Sequence, residues 1–209
     1  MRSIPRTATA AIIALTCAAW LVTMALGWDD RAAGGLGFIP ARVDGLIRVA
    51  PAVPAVLTPL TATLVHSGLL HLGFNMLMLF WCGSQVERVL GRSCLVLLYV
   101  VGAYAAAAAQ WLAEPHGLTP MVGASGAISA VIGAFALSFG RAKRVTSSAR
   151  FNRWINVVWL LAAWVVLQFM VGWLASGQGT LLATPAHIGG FIAGLLLQRP
   201  LLMWRYRKA

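Results

Sequence analysis

Long apolar runs separated by short polar or basic clusters make up most of the chain. No Asp, Glu, Lys or Arg occurs between Arg6 and Asp29, between Arg92 and Glu114, or between Glu114 and Arg141, where Pro120 shortens the run. A helix needs roughly 20 mostly apolar residues to cross the hydrocarbon core, so each of these runs predicts one span. The runs from Arg48 to Glu87 and from Arg153 to Arg199 are long enough for two. The second divides at Ser176-Gly177-Gln178-Gly179-Thr180, a turn composition. The first gives only one span, because Pro51, Pro54 and Pro59 oppose a regular helix in its early half. The pattern predicts six membrane helices, at about residues 8–28, 69–85, 93–113, 122–140, 154–175 and 183–203, with a loop at 30–65.

Composition agrees, with 60% hydrophobic against 10% charged residues. The expectation is an all-α membrane protein with residues 1–209 forming one membrane domain. A cleaved signal peptide is the alternative for the first run, which has a basic start at Arg2 and Arg6. That run is longer than a signal core of about 7–15 residues, and it is read as retained.

Charge sets the expected orientation, because basic residues favour the cytoplasmic side. With both termini inside, 13 of the 16 Lys and Arg residues fall inside, and only Arg31, Arg42 and Arg48 outside. Asp29, Asp30, Asp44 and Glu114 also fall outside, leaving Glu87 as the inner acid. The net charge of +11 therefore sits where anionic inner-leaflet lipids would meet it, and it is not read as a nucleic-acid footprint. The outer loop mixes Gly34, Gly35, Gly37 and prolines with Leu36, Phe38, Ile39, Leu46 and Ile47, so it is expected to lie partly in the membrane interface. Cys17, Cys82 and Cys94 have neither the number nor the spacing of a disulfide framework or a metal cluster.

Polar residues within membrane spans are costly and mark functional candidates. Three groups stand out: His66, His71 and Asn75 at the head of the second helix, Ser125 at the head of the fourth, and His187 at the head of the sixth. With the termini inside, every even-numbered helix enters from outside, so all three groups fall at a similar depth. A serine hydroxyl is a poor nucleophile until a base takes its proton, and histidine is the usual base near neutral pH. Ser125 and His187 fit those roles. Gly126 with Ala130 and Gly133, facing Gly190 and Gly194, would let the fourth and sixth helices approach closely. Ala105 to Ala109 provide a further small-residue surface on the third helix. His71 and Asn75 share a helix face four residues apart, and with the Ser125 backbone N–H they could donate to an oxyanion. Each member alone has a plainer reading: a serine bonded to its own helix, or a histidine or asparagine tying two helices. His66 is read as structural, holding the outer loop against the second helix, and His116 as solvated.

These residues resemble the rhomboid family. His66-Ser67-Gly68-Leu69-Leu70-His71-Leu72-Gly73-Phe74-Asn75 is similar to its histidine and asparagine motif. Gly123-Ala124-Ser125-Gly126 is similar to its nucleophile motif, and Ala186-His187-Ile188-Gly189-Gly190 with Gly194 to its base motif. Glu87-Arg88 at the inner end of the second helix also fits. The resemblance covers roughly residues 57–198 and implies a six-helix rhomboid-like bundle carrying a Ser125–His187 dyad without a third acid. It implies an oxyanion site of His71, Asn75 and the Ser125 backbone, with Gly123, Gly126, Gly190, Gly194 and His66 in support. The implied activity is serine endopeptidase cleavage in or near transmembrane segments of substrate proteins, in a bacterial inner membrane, with the site opening outward. No metal and no organic cofactor is implied. Two departures stand against the pattern. Ser129 occupies the position where family members often carry an aromatic residue against the catalytic histidine, leaving that support to Phe191 or to an aromatic from another helix. The Trp-Arg pair common in the first outer loop is replaced by Val56-Leu57-Thr58-Pro59-Leu60-Thr61.

Two rival readings exist. An inactive rhomboid relative that binds membrane clients would be expected to have lost Ser125 or His187, and both are present. A small transporter would favour charged coupling groups at mid-membrane, where this sequence has none.

Overall fold

The computed structural model describes residues 7–140, 145–176 and 183–207. Arg2, Arg6, Arg141, Lys143, Arg144, Lys208 and the turn at 177–180 lie outside the described residues. Among the described residues every regular element is a helix, and one antiparallel bridge joins Phe38 to Met121. Six apolar helices form a bundle: α1 (Ala8–Ala25), α2 (Leu69–Leu90), α3 (Arg92–Ala113), α4 (Ser125–Phe139), α5 (Ala149–Ser176) and α6 (Thr184–Arg205). All but α4 are long and apolar enough to cross a membrane. At 15 residues, α4 spans about 22 Å at ~1.5 Å per residue, against a hydrocarbon core of about 30 Å.

Local chemistry explains why α4 is shorter than the expected 122–140. Met121 exchanges two backbone hydrogen bonds with Phe38 (3.0 and 2.8 Å), and Gly123 N–H donates to the Ala62 carbonyl at 2.9 Å. Those bonds hold the segment before Ser125 extended. Gly123 has φ +111°, a conformation that a residue with a Cβ rarely adopts. The helix therefore starts at Ser125. By contrast, α2 runs past the expected end at Gln85, through a π-helical turn at Leu79–Gly83, to Leu90. It stops at Gly91, whose φ is +85°.

α4 is the centre of the bundle and packs chiefly on α6 and α3. Small residues make this possible. A Cβ on Gly190 would overlap the Gly126 carbonyl, and one on Gly194 the Ala130 carbonyl. Gly126 faces Ala106 of α3, while Gly189 faces Ala105 and Ala109. The main neighbour of α5 is α6. Phe74, Trp81, Leu112, Trp154 and Phe169 are exposed on the outside of the bundle, as expected of helices apolar all round with lipid as their solvent.

At one end of the bundle, the buried Glu87 carboxylate caps α1. It accepts from Ala8 N–H (2.8 Å), Thr9 N–H (2.9 Å) and the Thr9 hydroxyl (2.6 Å), meeting donors left free by the first turn of a helix. The Tyr206 hydroxyl donates to the Val89 carbonyl (3.2 Å), bringing the end of α6 to the same place. The starts of α2, α4 and α6 gather at the other end.

The segment between α1 and α2 is more structured than a loop. It contains helices at Asp29–Leu36, Pro40–Val43 and Thr58–Thr61 and two 3-10 turns. Phe38 and Ile39 are each 4% exposed, and Phe38 packs with Ala62, Ala107, Trp111 and Met121. These two side chains were expected in the membrane interface, and they are instead buried in protein, Phe38 where its backbone pairs with Met121. Leu46 and Val56 remain exposed.

Candidate active site

Ser125 is the first residue of α4 and His187 the fourth of α6, which opens with Pro185 in its first turn. Proline suits that position because its missing N–H would have no intrahelical partner. The close glycine packing of α4 on α6 brings the two side chains together: His187 Nε2 lies 2.7 Å from Ser125 Oγ, across 62 residues of sequence. His187 is buried and Ser125 half-buried. The Ser125 N–H belongs to the first turn of α4, where N–H groups lack intrahelical acceptors and the helix dipole favours negative charge.

The other ring nitrogen of His187 is held by a residue that the sequence reading passed over. His187 Nδ1 lies 2.7 Å from Gln168 Oε1, and both side chains are buried. Gln168 belongs to α5, as does Trp164, whose indole N–H donates to the His187 carbonyl at 3.2 Å. Trp164 also stacks on Phe191, with ring centroids 4.8 Å apart and planes at 8°. Ser129, at the position of the expected aromatic, donates instead to the Ser125 carbonyl of its own helix (2.8 Å). Polarity inside the apolar run 154–175, shared only with Asn156 near its start, was the available signal for Gln168.

His71 lies with its ring against Gly123, close enough that a Cβ there would meet His71 Cε1 at 2.6 Å and Nε2 at 2.7 Å. Ser67 Oγ is 3.1 Å from His71 Nδ1. If the Ser67 hydroxyl donates in that pair, the ring proton sits on Nε2, facing the Gly123 segment. Asn75 donates one amide hydrogen to the His71 carbonyl (2.8 Å), and its second amide hydrogen is left for another acceptor. Asn75 Oδ1 is buried with no partner among the described residues.

His66 accepts from the Ala124 N–H through Nε2 at 3.4 Å and meets the His71 ring edge-on, with centroids 5.0 Å apart at 60°. It ties the start of α2 to the residue before Ser125, a contact more specific than the expected bracing of the outer loop. Burial first, and the neighbouring His71 second, push His66 down to about 4. His116 is exposed. Gly126, Gly190 and Gly194 lie at the α4–α6 contact, away from bulk solvent.

The Rhomboid domain family model matches residues 55–204. RHOMBOID-like protein 5 of Arabidopsis thaliana is 30% identical over 139 residues, covering 66% of this chain and 42% of that protein. Rhomboid protease GluP of Bacillus subtilis (strain 168) is 30% identical over 135 residues, 65% of this chain and 24% of its own length. Rhomboid protease GlpG of Yersinia pestis (strain Pestoides F) is 31% identical over 134 residues, 64% and 44% respectively. The matched stretch is less than half the length of each of these relatives. With the family model spanning most of the chain, including every helix from α2 to α6, this integral membrane protein belongs to the rhomboid family.

Proposed function

We propose that the protein is an intramembrane serine endopeptidase that hydrolyses peptide bonds in or near the transmembrane segments of other membrane proteins. The observation that carries this reading is the 2.7 Å contact between Ser125 Oγ and His187 Nε2. In the proposed reaction Ser125 Oγ attacks the scissile carbonyl while its proton passes to His187 Nε2. The C–N bond then breaks as His187 returns that proton to the departing amine. A water molecule, deprotonated by His187, attacks the acyl-enzyme and releases Ser125. The Ser125 N–H, His71 Nε2 and the second Asn75 amide hydrogen are the proposed oxyanion donors. The His71 ring against Gly123, two residues before Ser125, supports the assignment, since a helix N-terminus already favours negative charge. We further propose a bacterial inner membrane as its location, from the likeness to bacterial rhomboid proteases, and, from the charge bias along the sequence, a site opening to the extracytoplasmic side.

The test needs no knowledge of the substrate. A fluorophosphonate probe is expected to label Ser125, and labelling is expected to vanish in Ser125→Ala and in His187→Ala while both variants remain folded in detergent. Undiminished labelling in His187→Ala would sink the dyad. A folded protein that binds membrane clients but never reacts with the probe would point to the inactive alternative.

A further inference from the structure

A base that works through Nε2 must carry its proton on Nδ1, and something must hold it there. In this chain the 2.7 Å contact of His187 Nδ1 with Gln168 Oε1 meets that need. We propose that Gln168 is a positioning residue for the reaction, fixing the tautomer and tilt of His187 by accepting its Nδ1–H, so that Ser125, His187 and Gln168 form one chain of hydrogen bonds in which the proton moves only between Ser125 and His187. The proposal rests on the dyad reading above and adds to it a third member supplied by α5.

Three observations favour a positioning role over simple filling of space. First, α5 grips the same residue twice. Trp164 and Gln168 stand one turn apart on one face, and they take the His187 carbonyl and the His187 ring respectively. Second, the α4 position one turn after Ser125 does not brace the ring, because Ser129 is committed to its own helix backbone. The aromatic pair Trp164–Phe191 braces the backbone side of His187 instead. Third, an amide suits this location. Gln168 is 7% exposed, and a carboxylate at the same depth would carry a large desolvation cost in the resting enzyme. A neutral acceptor holds the productive tautomer without that cost. It stabilises the imidazolium less than an anion would, since hydrogen bonds with both partners charged are the stronger ones.

The discriminating experiment compares fluorophosphonate labelling of full-length wild type, Gln168→Leu and Gln168→Glu across pH, with saturation kinetics to separate probe affinity from the rate of the covalent step. Gln168→Leu keeps the bulk but has no acceptor. It is expected to slow the covalent step on the order of tenfold to a hundredfold with little change in probe affinity. Gln168→Glu restores an acceptor. It is expected to recover rate relative to Gln168→Leu and to move the acid limb of the pH profile upward, because an anion beside His187 favours its protonated form. A wild-type rate and pH profile in Gln168→Leu would overturn the proposal and leave Gln168 a packing residue. So would equal losses in both variants with no movement of the acid limb. Labelling that is indifferent to His187 itself would sink the dyad as well, so the two failures are told apart by His187→Ala.

Discussion

His66 can do its work only while uncharged, because Nε2 must keep a lone pair to accept the Ala124 N–H. Its pKa is depressed from 6.5 to about 4 in the folded protein, so the sign of the pH effect is determined. The unfolded chain takes up the proton first as pH falls. The contribution of His66 is therefore fully present above about 6.5 and is lost progressively as pH drops towards 4. His66→Gln keeps a neutral acceptor of similar reach. It is expected to flatten the fall in thermal stability between those pH values, measured by unfolding in detergent; an unchanged slope would mean that other groups govern it. Single residues also show what the sequence could and could not tell. Ser125 and His187 stand out because each sits in a glycine-bearing motif, and a motif is local. Gln168 has no such neighbours. Its significance lies in a partner 19 residues away on another helix, and nothing in the run 154–175 distinguishes it from an ordinary tie between helices. Ser129 was legible as a gap in the pattern, but the residue that compensates for it lay on an element whose packing the sequence does not specify.

Helix contacts explain why the site exists at all. The approach of α6 to α4 is set by Gly190 and Gly194 lying against the backbone carbonyls of Gly126 and Ala130. Gly194→Val would force the helices apart, with an expected stability loss of about 1–3 kcal/mol, as is usual for overpacking, and a larger proportional loss of Ser125 labelling. Gly73→Ala is the matched control. It lies on α2 with nothing within 4 Å of the added carbon, and it is expected to leave both readouts nearly unchanged. Thermal unfolding and labelling rate, measured on the two variants side by side, check the contrast. At this scale the small-residue faces were readable from spacing alone, since a helical period of 3.6 puts Gly190 and Gly194 on one side. The start of α4 was not. It depends on Phe38 pairing with Met121 and on Gly123 N–H reaching Ala62, contacts from distant segments that hydrophobic periodicity cannot register.

For the molecule as a whole, the charge bias makes a statement about sidedness that labelling can check. Single cysteines at Asp44 and at Arg150, in a background lacking Cys17, Cys82 and Cys94, should differ in access. The first is expected to react with a membrane-impermeant maleimide in intact cells, and the second only after permeabilisation. Reversed access would invert the orientation and place the Ser125 end of the bundle in the cytoplasm. The six-helix architecture was legible because apolar run lengths report directly on the bilayer. The burial of Phe38 and Ile39 was not, because an apolar side chain between two membrane helices looks the same whether its neighbour is lipid or protein.

The shortness of α4 has a consequence for how the protein fits its bilayer. Most of α4 from Gly126 to Ala134 is buried, so lipid acyl chains meet little of its surface and have no reason to thin around it. Hydrophobic matching is set by the longer peripheral helices, whose apolar length the membrane must accommodate. α4 is thus enclosed by longer neighbours, and its short apolar length imposes no elastic deformation on the surrounding lipid.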